Sequence, residues 1–439
     1  MSIFMSIRRS FYLAIIFTFL SGISVYALEG ERCSVFPSII ITAPEDLLVD
    51  RETWFEGTVE IYDPRNGEWS MEAVAAEVRG RGNSTWRYGG EKRPLRFRFA
   101  EPTSVMHFEH EARTWVTFAD HFDPSLLRNY LVFSFAASLE NFSWTPVVQK
   151  VHMYVNGDYL GIYTLSDERD IGESRANITL DSDPAVSEYM LERDRRTGRA
   201  ASGSVEGLDH VRVNGVVYDI RFPSGRRTSE AHAAYVNDFM HRVSESIRSG
   251  CWDAITSIIC VPAMVDFYIV QEWSRNPDSG FSSIFMQIMG QGEDRRLVMG
   301  PVWDFDIAAG LATGARPNNL LAATRNYWFN YLLRVPEFQE ALTDRWQEIR
   351  DIQITQVLDS IMEFATEYEE VFNRNFERHP VLGTSVWRNT HATVLEIDTF
   401  LGQVEHLVDF LIRRAEWLDG FFERGVFEPN LNDRDFSLE

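Results

Sequence analysis

The chain has 439 residues, 45% of them hydrophobic, so it can bury a large core and is neither a disordered nor a fibrous polymer. Lysine and arginine total 42 against 65 aspartate and glutamate, a formal net charge of −23. Such an acidic balance argues against nonspecific binding to nucleic acid or to an anionic membrane. The length allows two or three domains or lobes.

Residues 1–27 read as a secretory signal. Arg8 and Arg9 precede an apolar run from Phe11 to Ile23, and Val25-Tyr26-Ala27 offers small residues ahead of a cleavage site. The run is short for a membrane span, so the expectation is export to a secreted, periplasmic or cell-surface location, with no stable insertion after cleavage. Three cysteines, Cys33, Cys251 and Cys260, are too few for a disulfide framework. In an oxidising compartment Cys251 and Cys260 could close a small loop and leave Cys33 unpaired.

From about Ser38 to Arg98 the pattern is strand-like, with turn signals at Asp63-Pro64-Arg65-Asn66-Gly67 and Gly89-Gly90. Within it, the glycine-bearing loop Arg79 to Trp86 leads into Lys92-Arg93-Pro94-Leu95-Arg96-Phe97-Arg98-Phe99. Alternation there puts Leu95, Phe97 and Phe99 on one face and Arg96 and Arg98 on the other. A basic face beside a glycine loop is one way to hold phosphates. Asp123-Pro124 reads as an N-cap with proline at the first helical position, carrying Leu126, Leu127, Tyr130, Leu131 and Phe135 inward. Lys150 to Val155, Asn156-Gly157 and Tyr159 to Leu165 form the clearest hairpin, because Asn-Gly supplies the positive φ angles of a tight turn. Tyr189 to Glu192 and Val217 to Phe222 are further strands.

After Thr228 the periodicity becomes helical, over Ala231–Arg248, Ala263–Trp273, Glu337–Arg350, Ile354–Arg374 and Thr393–Phe422. The organisation expected is α+β, with a β-rich N-lobe at 28–228 holding one major helix and a helical C-lobe at 229–439.

One segment interrupts the helices: NPDSGFSSIFMQIMGQGEDRRLVMGPVWDFDIAAG, residues 276–310. It places Asp278 before two short apolar strands around a polar turn, and Asp304 and Asp306 after them. If the strands pair, the ends of the hairpin bring three carboxylates to one mouth, which suggests a hard-metal site. Read as extended chain, Asp304 and Asp306 share one face while Trp303 and Phe305 take the other. The plainer readings are a turn-capping aspartate at Asp278 and salt-bridged acids beside Arg275, Arg295 or Arg296. A loop acid, a hairpin, then an acid beside an aromatic is also the order of phosphoryl-transfer residues in protein kinases. No GxSxG or HExxH motif points to a serine hydrolase or zinc protease.

Taken together, RGRGNSTW with KRPLRFRF, ADHFDPSLLRNYL, VHMYVNGDYLGIYTL, SEYMLERD, NPDSGFSS and MGPVWDFDIAAG resemble the CotH kinase family, named for a spore-coat protein, over roughly residues 75 to 310. The resemblance implies an atypical protein-kinase-like bilobal fold that transfers the γ-phosphoryl group of ATP, with Mg²⁺ or Mn²⁺, to Ser or Thr of a secreted or surface protein. It implies Asp278 at the catalytic-loop position and Asp304 as metal ligand, supported by Asp306 and Asn276. Arg81, Lys92, Arg96 and Arg98 become the candidates for contacting ATP phosphates. The chain departs from the family where glutamate is common and YTLSDERD has Asp167. That leaves Asp167 or Glu168 as partner of the phosphate-binding basic residue. It also keeps open an inactive CotH-like binding, adhesion or coat-scaffold protein.

Overall fold

The structure, a computed structural model, describes residues 35–424 apart from 173–174, 195–206, 225–227, 319–325 and 387–389. The expected signal at 1–27, and Cys33, lie outside the described residues.

Seven strands close into a barrel: β1 (Ser38–Thr42), β2 (Phe55–Tyr62), β3 (Met71–Gly80), β4 (Leu95–Thr103), β5 (Ala112–Phe118), β6 (Val148–Val155) and β7 (Asp158–Asp167), in the order β1-β2-β3-β4-β5-β7-β6. Neighbours are antiparallel except where β1 meets β6 in parallel, Ile39 opposite Met153, and so closes the ring. Closure removes the exposed edges that an open sheet would leave. Period-two alternation fills the interior. Leu95, Phe97 and Phe99 are buried with Val78, Trp115, Val151 and Tyr163, while Arg96 and Arg98 leave on the outer face, as expected from sequence. The β6–β7 turn has Asn156 at φ 52 and Gly157 at φ 88, the left-handed pair that Asn-Gly predicts.

A second, five-stranded antiparallel sheet runs β12-β11-β8-β10-β9, built from β8 (Tyr189–Arg193), β9 (His210–Val213), β10 (Val216–Phe222), β11 (Ile284–Met289) and β12 (Arg296–Met299). Its β11 pairs with β8, Met286 opposite Leu191, so sheet hydrogen bonds join strands from both sides of the compositional change at residue 228. The helices Arg128–Ala137, Glu230–Ser249, Val261–Trp273, Pro336–Ile349, Thr355–Glu367, Glu369–Arg378 and Phe400–Arg424 share one hydrophobic core with this sheet, Arg128–Ala137 lying against β6 and Glu369–Arg378 against β7 of the barrel. Residues Ala263 to Trp273 are all buried, so the Val261–Trp273 helix is the axis of that core. The architecture is mixed α+β. Among the described residues no helix is long and apolar enough to cross a membrane, and Cys251 and Cys260 carry no disulfide.

The structure shifts three local expectations. The first major helix starts at Arg128, not at Asp123. Asp123 instead organises the preceding turns, its Oδ1 accepting from Ser125 N at 2.9 Å and its Oδ2 from Arg128 N at 2.7 Å. The helix expected over 354–374 breaks at Tyr368 (φ −110°), and the long C-terminal helix begins at Phe400. Strand β9 carries too few residues to show a period and was not anticipated.

Candidate active site

The hairpin that the sequence suggests is present: β11 and β12 pair antiparallel, Met286 opposite Met299. Its flanks therefore meet, and Ser283 Oγ donates to Asp304 Oδ2 at 3.1 Å. Asp304 is not in extended chain, however. Its φ is 69°, in the left-handed region, so the simple alternation of Asp304 and Asp306 with Trp303 and Phe305 does not hold. Trp303 and Phe305 are buried, Asp304 is half-buried, and Asp306 lies deeper, 8% exposed.

What fixes this turn comes from the barrel side. Asn129 Oδ1 accepts from Phe305 N at 2.8 Å, and Asn129 Nδ2 donates to Asp120 Oδ1 at 2.9 Å. Asp120 Oδ2 in turn accepts from Lys150 Nζ at 3.1 Å and Thr164 Oγ1 at 2.5 Å. Arg128, fully buried, pairs with Asp123 and donates from Nε to Ala308 O at 2.9 Å. The start of one helix thus clamps the chain on both sides of Asp306.

The electrostatic result is a concentration of acids. Burial above all, then Asp304, Asp120, Asp278 and Asp123, pushes the Asp306 carboxyl well above the usual carboxylate range. A cation placed there would relieve that repulsion. Among the described residues no three His, Cys, Asp or Glu side chains are grouped so as to hold a metal by themselves. Magnesium, though, is commonly held by one or two carboxylates with water and substrate phosphates completing the shell. Asp304 and Asp306 fit that partial role.

Facing the acids across a cavity of about 1170 Å³ is a basic wall. Arg51, Arg79, Arg81, Arg96, Arg169 and Arg221 line it, with Glu52, Glu192 and Asp194 among them, and Asp120, Asp278, Asp304 and Asp306 line it too. The Nε atoms of Arg79, Arg81 and Arg96 are buried and have no hydrogen-bond partner. Arg81 stacks its guanidinium over Phe118 at 4.6 Å, and burial lowers its pKa to about 10 although Glu168 and Asp304 oppose the shift. Arg96 Nη2 meets Glu168 Oε2 at 2.5 Å, and Arg169 Nε is 3.2 Å from Glu168 Oε1. Burial alone would raise the Glu168 pKa; Arg96, Arg169 and Arg81 overcome it and bring it down to about 2.

Strand alternation settles which carboxylate partners the basic wall. Asp167 stands opposite Trp115 inside the barrel, where its Oδ1 accepts from Val147 N at 3.0 Å and its Oδ2 lies 3.2 Å from His110 Nε2. Glu168, one residue on, faces outward to Arg96. Of the other expected site residues, Asp278, Asp304, Asp306, Arg81 and Arg96 line the cavity, and Lys92, Arg98 and Asn276 do not. Asn276 is buried, accepting on Oδ1 from Asp278 N at 3.0 Å and donating to Gln271 Oε1 at 2.9 Å, which shapes the Asp278 loop and uses the oxygen offered to a metal. Arg98 is held bidentate by Glu77 at 2.6 and 3.0 Å. Lys92 is 1% exposed, its Nζ unbonded, and burial lowers its pKa to about 7. Sequence reasoning missed Asp120, Asn129, Arg169 and Arg221 as cavity residues. The paired acids of Ala119-Asp120-His121-Phe122-Asp123, of which the sequence reading gives a role to Asp123 alone, as an N-cap, are the available signal for Asp120.

A family model described as CotH kinase protein matches residues 78–418, from β3 through most of the last helix, and so takes in every residue of the two facing walls except Arg51 and Glu52. No curated protein matches the chain. With a match of that extent laid over a cavity of this chemistry, the chain belongs to the CotH kinase protein family.

Proposed function

We propose that this chain is an ATP-dependent protein serine/threonine kinase, acting after export on secreted or surface proteins. The observation that carries the reading is the cavity itself, with buried N–H groups of Arg81 and Arg96 that have no partner on one side and, on the other, aspartates among which burial and mutual repulsion raise the Asp306 pKa well above the usual range. Triphosphate and divalent metal together meet both demands. In this reading the barrel with its basic outer face is the counterpart of a kinase N-lobe, and the helical body carrying the β11–β12 hairpin the counterpart of a C-lobe.

Arg81 and Arg96 hold and orient the phosphates. Glu168 fixes Arg96, so that the guanidinium meets its ligand without first losing rotamer freedom. Asp278 lines the cavity on a loop shaped by Asn276, where its carboxylate orients the acceptor hydroxyl and takes its proton as the acceptor oxygen bonds to phosphorus and the bond to ADP breaks. Asp304 and Asp306 would hold Mg²⁺ or Mn²⁺, which supplies neutralisation of charge on the phosphate oxygens.

The test is transfer of labelled phosphate from ATP to an acceptor by the wild type, Asp278→Ala and Asp304→Ala. Both variants should lose transfer. Asp304→Ala should also lose metal-dependent stabilisation by ATP in a thermal-shift titration, whereas Asp278→Ala should keep it. Undiminished transfer in either variant would sink the assignment.

A further inference from the structure

The outer face of β3 and β4 is a ladder whose rungs lead away from the acids. Arg79 stands directly opposite Arg96, and Glu77 opposite Arg98. Arg79 and Arg81 lie two residues apart, so Arg79 is about 6–7 Å further along the strand direction. Arg81 packs on Phe118 and Trp303 and feels Asp304, which places it at the acid end. Arg79 packs instead over Trp54 at 4.9 Å and donates to the Glu52 carbonyl at 3.3 Å, on the side of the cavity lined by Arg51 and Glu52.

The two arginines differ from their neighbours in pairing. Arg96 has Glu168, Arg98 has Glu77, Arg51 has Glu52, and Arg221 has Glu192. Among the described residues Arg79 and Arg81 have no carboxylate ion pair, yet both line the cavity and both have a buried Nε without a partner. Arg79 and Arg96 are like charges directly opposed across a strand pair, an arrangement that destabilises a sheet, and the Glu168 carboxylate offsets it on the Arg96 side. The cavity, at about 1170 Å³, also exceeds the roughly 300–1,000 Å³ of ordinary small-ligand pockets.

We infer that Arg79 forms a second anion subsite that takes an acidic side chain of the acceptor flanking the phosphorylated Ser or Thr. This rests on the kinase reading and names its substrate class: acceptors with a carboxylate or a phosphorylated residue near the target hydroxyl. Arg81 serves the nucleotide and Arg79 the acceptor. The packing of Arg79 on Trp54 holds the guanidinium in place, and its planar fork suits either oxyanion. A positive subsite in a chain of net charge −23 also gives an acidic segment one locus to reach on a surface that otherwise repels it.

The experiment uses the full chain with serine peptides that differ only in the flanking residues, glutamate, phosphoserine, glutamine or lysine. Binding is read by fluorescence anisotropy without nucleotide, and transfer with ATP and Mg²⁺ or Mn²⁺. The wild type should favour the two anionic peptides over the glutamine peptide by about tenfold or more in affinity and in kcat/KM. The ratio of glutamate to phosphoserine identifies which anion the subsite is built for. Arg79→Met should abolish the preference and leave the KM for ATP unchanged, Arg79→Lys should restore part of it, and Arg81→Met should raise the KM for ATP. A wild type blind to flanking charge overturns the inference, as does an Arg79→Met variant whose ATP KM rises as much as that of Arg81→Met. Anisotropy keeps the two readings apart: anionic preference without transfer on any peptide refutes the kinase assignment and leaves the subsite standing.

Discussion

Replacing Asn129 with alanine tests the clamp that joins the barrel to the acidic turn. The side chain is 1% exposed and makes two hydrogen bonds, 2.8 Å from Phe305 N and 2.9 Å to Asp120 Oδ1. Without it the Phe305 N–H, beside a fully buried ring, has no acceptor, at a cost of about 1–3 kcal/mol. Asp120 loses a donor but keeps Lys150 and Thr164 on its other oxygen, so that loss stays near the low end, about 1 kcal/mol. The sum is about 2–4 kcal/mol, read as a shift of the urea midpoint at constant slope. Because the freed turn carries Asp304 and Asp306, phosphate transfer should fall on the order of a hundredfold. Asn129→Asp keeps an acceptor for Phe305 N but sets a second carboxylate against Asp120, so it should be worse at neutral pH than at mildly acidic pH. A loss below about 0.5 kcal/mol, with transfer unchanged, would refute the clamp.

Three further outcomes follow from the charges. Glu168→Gln should cost about 3 kcal/mol at neutral pH, from a pKa lowered from 4.5 to about 2. That contribution is present above the ordinary carboxylate pKa and lost as pH falls towards 2, so wild type and variant should converge in acid; parallel stability curves would exclude the ion pairs as its source. Asp306 behaves oppositely: its folded pKa is raised, so its contribution is fullest below the ordinary carboxylate pKa and lost as pH rises through the folded value. Metal-free Asp306→Asn should therefore unfold at higher temperature than the wild type near neutrality, and a variant less stable there would contradict the crowding of acids. Lys92, with its pKa lowered to about 7, adds stability that is full above pH 10.5 and falls away as pH drops to 7. Lys92→Met should flatten that dependence and retain transfer; an inactive but folded Lys92→Met would show that the amine reaches the phosphates.

How much of this was legible in the sequence depends on the range of the physics involved. The β6–β7 hairpin follows from Asn156-Gly157, and the basic face of β4 from alternation of Arg96 and Arg98 with Leu95, Phe97 and Phe99. The β11–β12 hairpin, and with it the meeting of its two flanks at Ser283 and Asp304, follows from two apolar runs around a polar turn. These are local rules of period and turn chemistry, written within about ten residues. By the same alternation the chain itself decides between Asp167 and Glu168, once the strand is known to run through Asp167.

The rest required the fold. Nothing local says that β1 closes a barrel against β6, or that β8 pairs with a hairpin strand 95 residues on, Leu191 opposite Met286, because those pairings are made by distant segments with no periodic mark of each other. The same distance hid Asp120 and Asn129, 176 residues from the Phe305 N–H that Asn129 holds, and left Arg169 and Arg221 unassigned on the basic wall. It also separated four basic candidates that look alike in sequence. Arg81 and Arg96 reach the cavity, Arg98 is taken by Glu77, and Lys92 is buried behind the wall, because burial and partners are properties of the packed chain. The sequence by itself determined which charges the protein carries and in what order; only the tertiary structure decided which of them face one another.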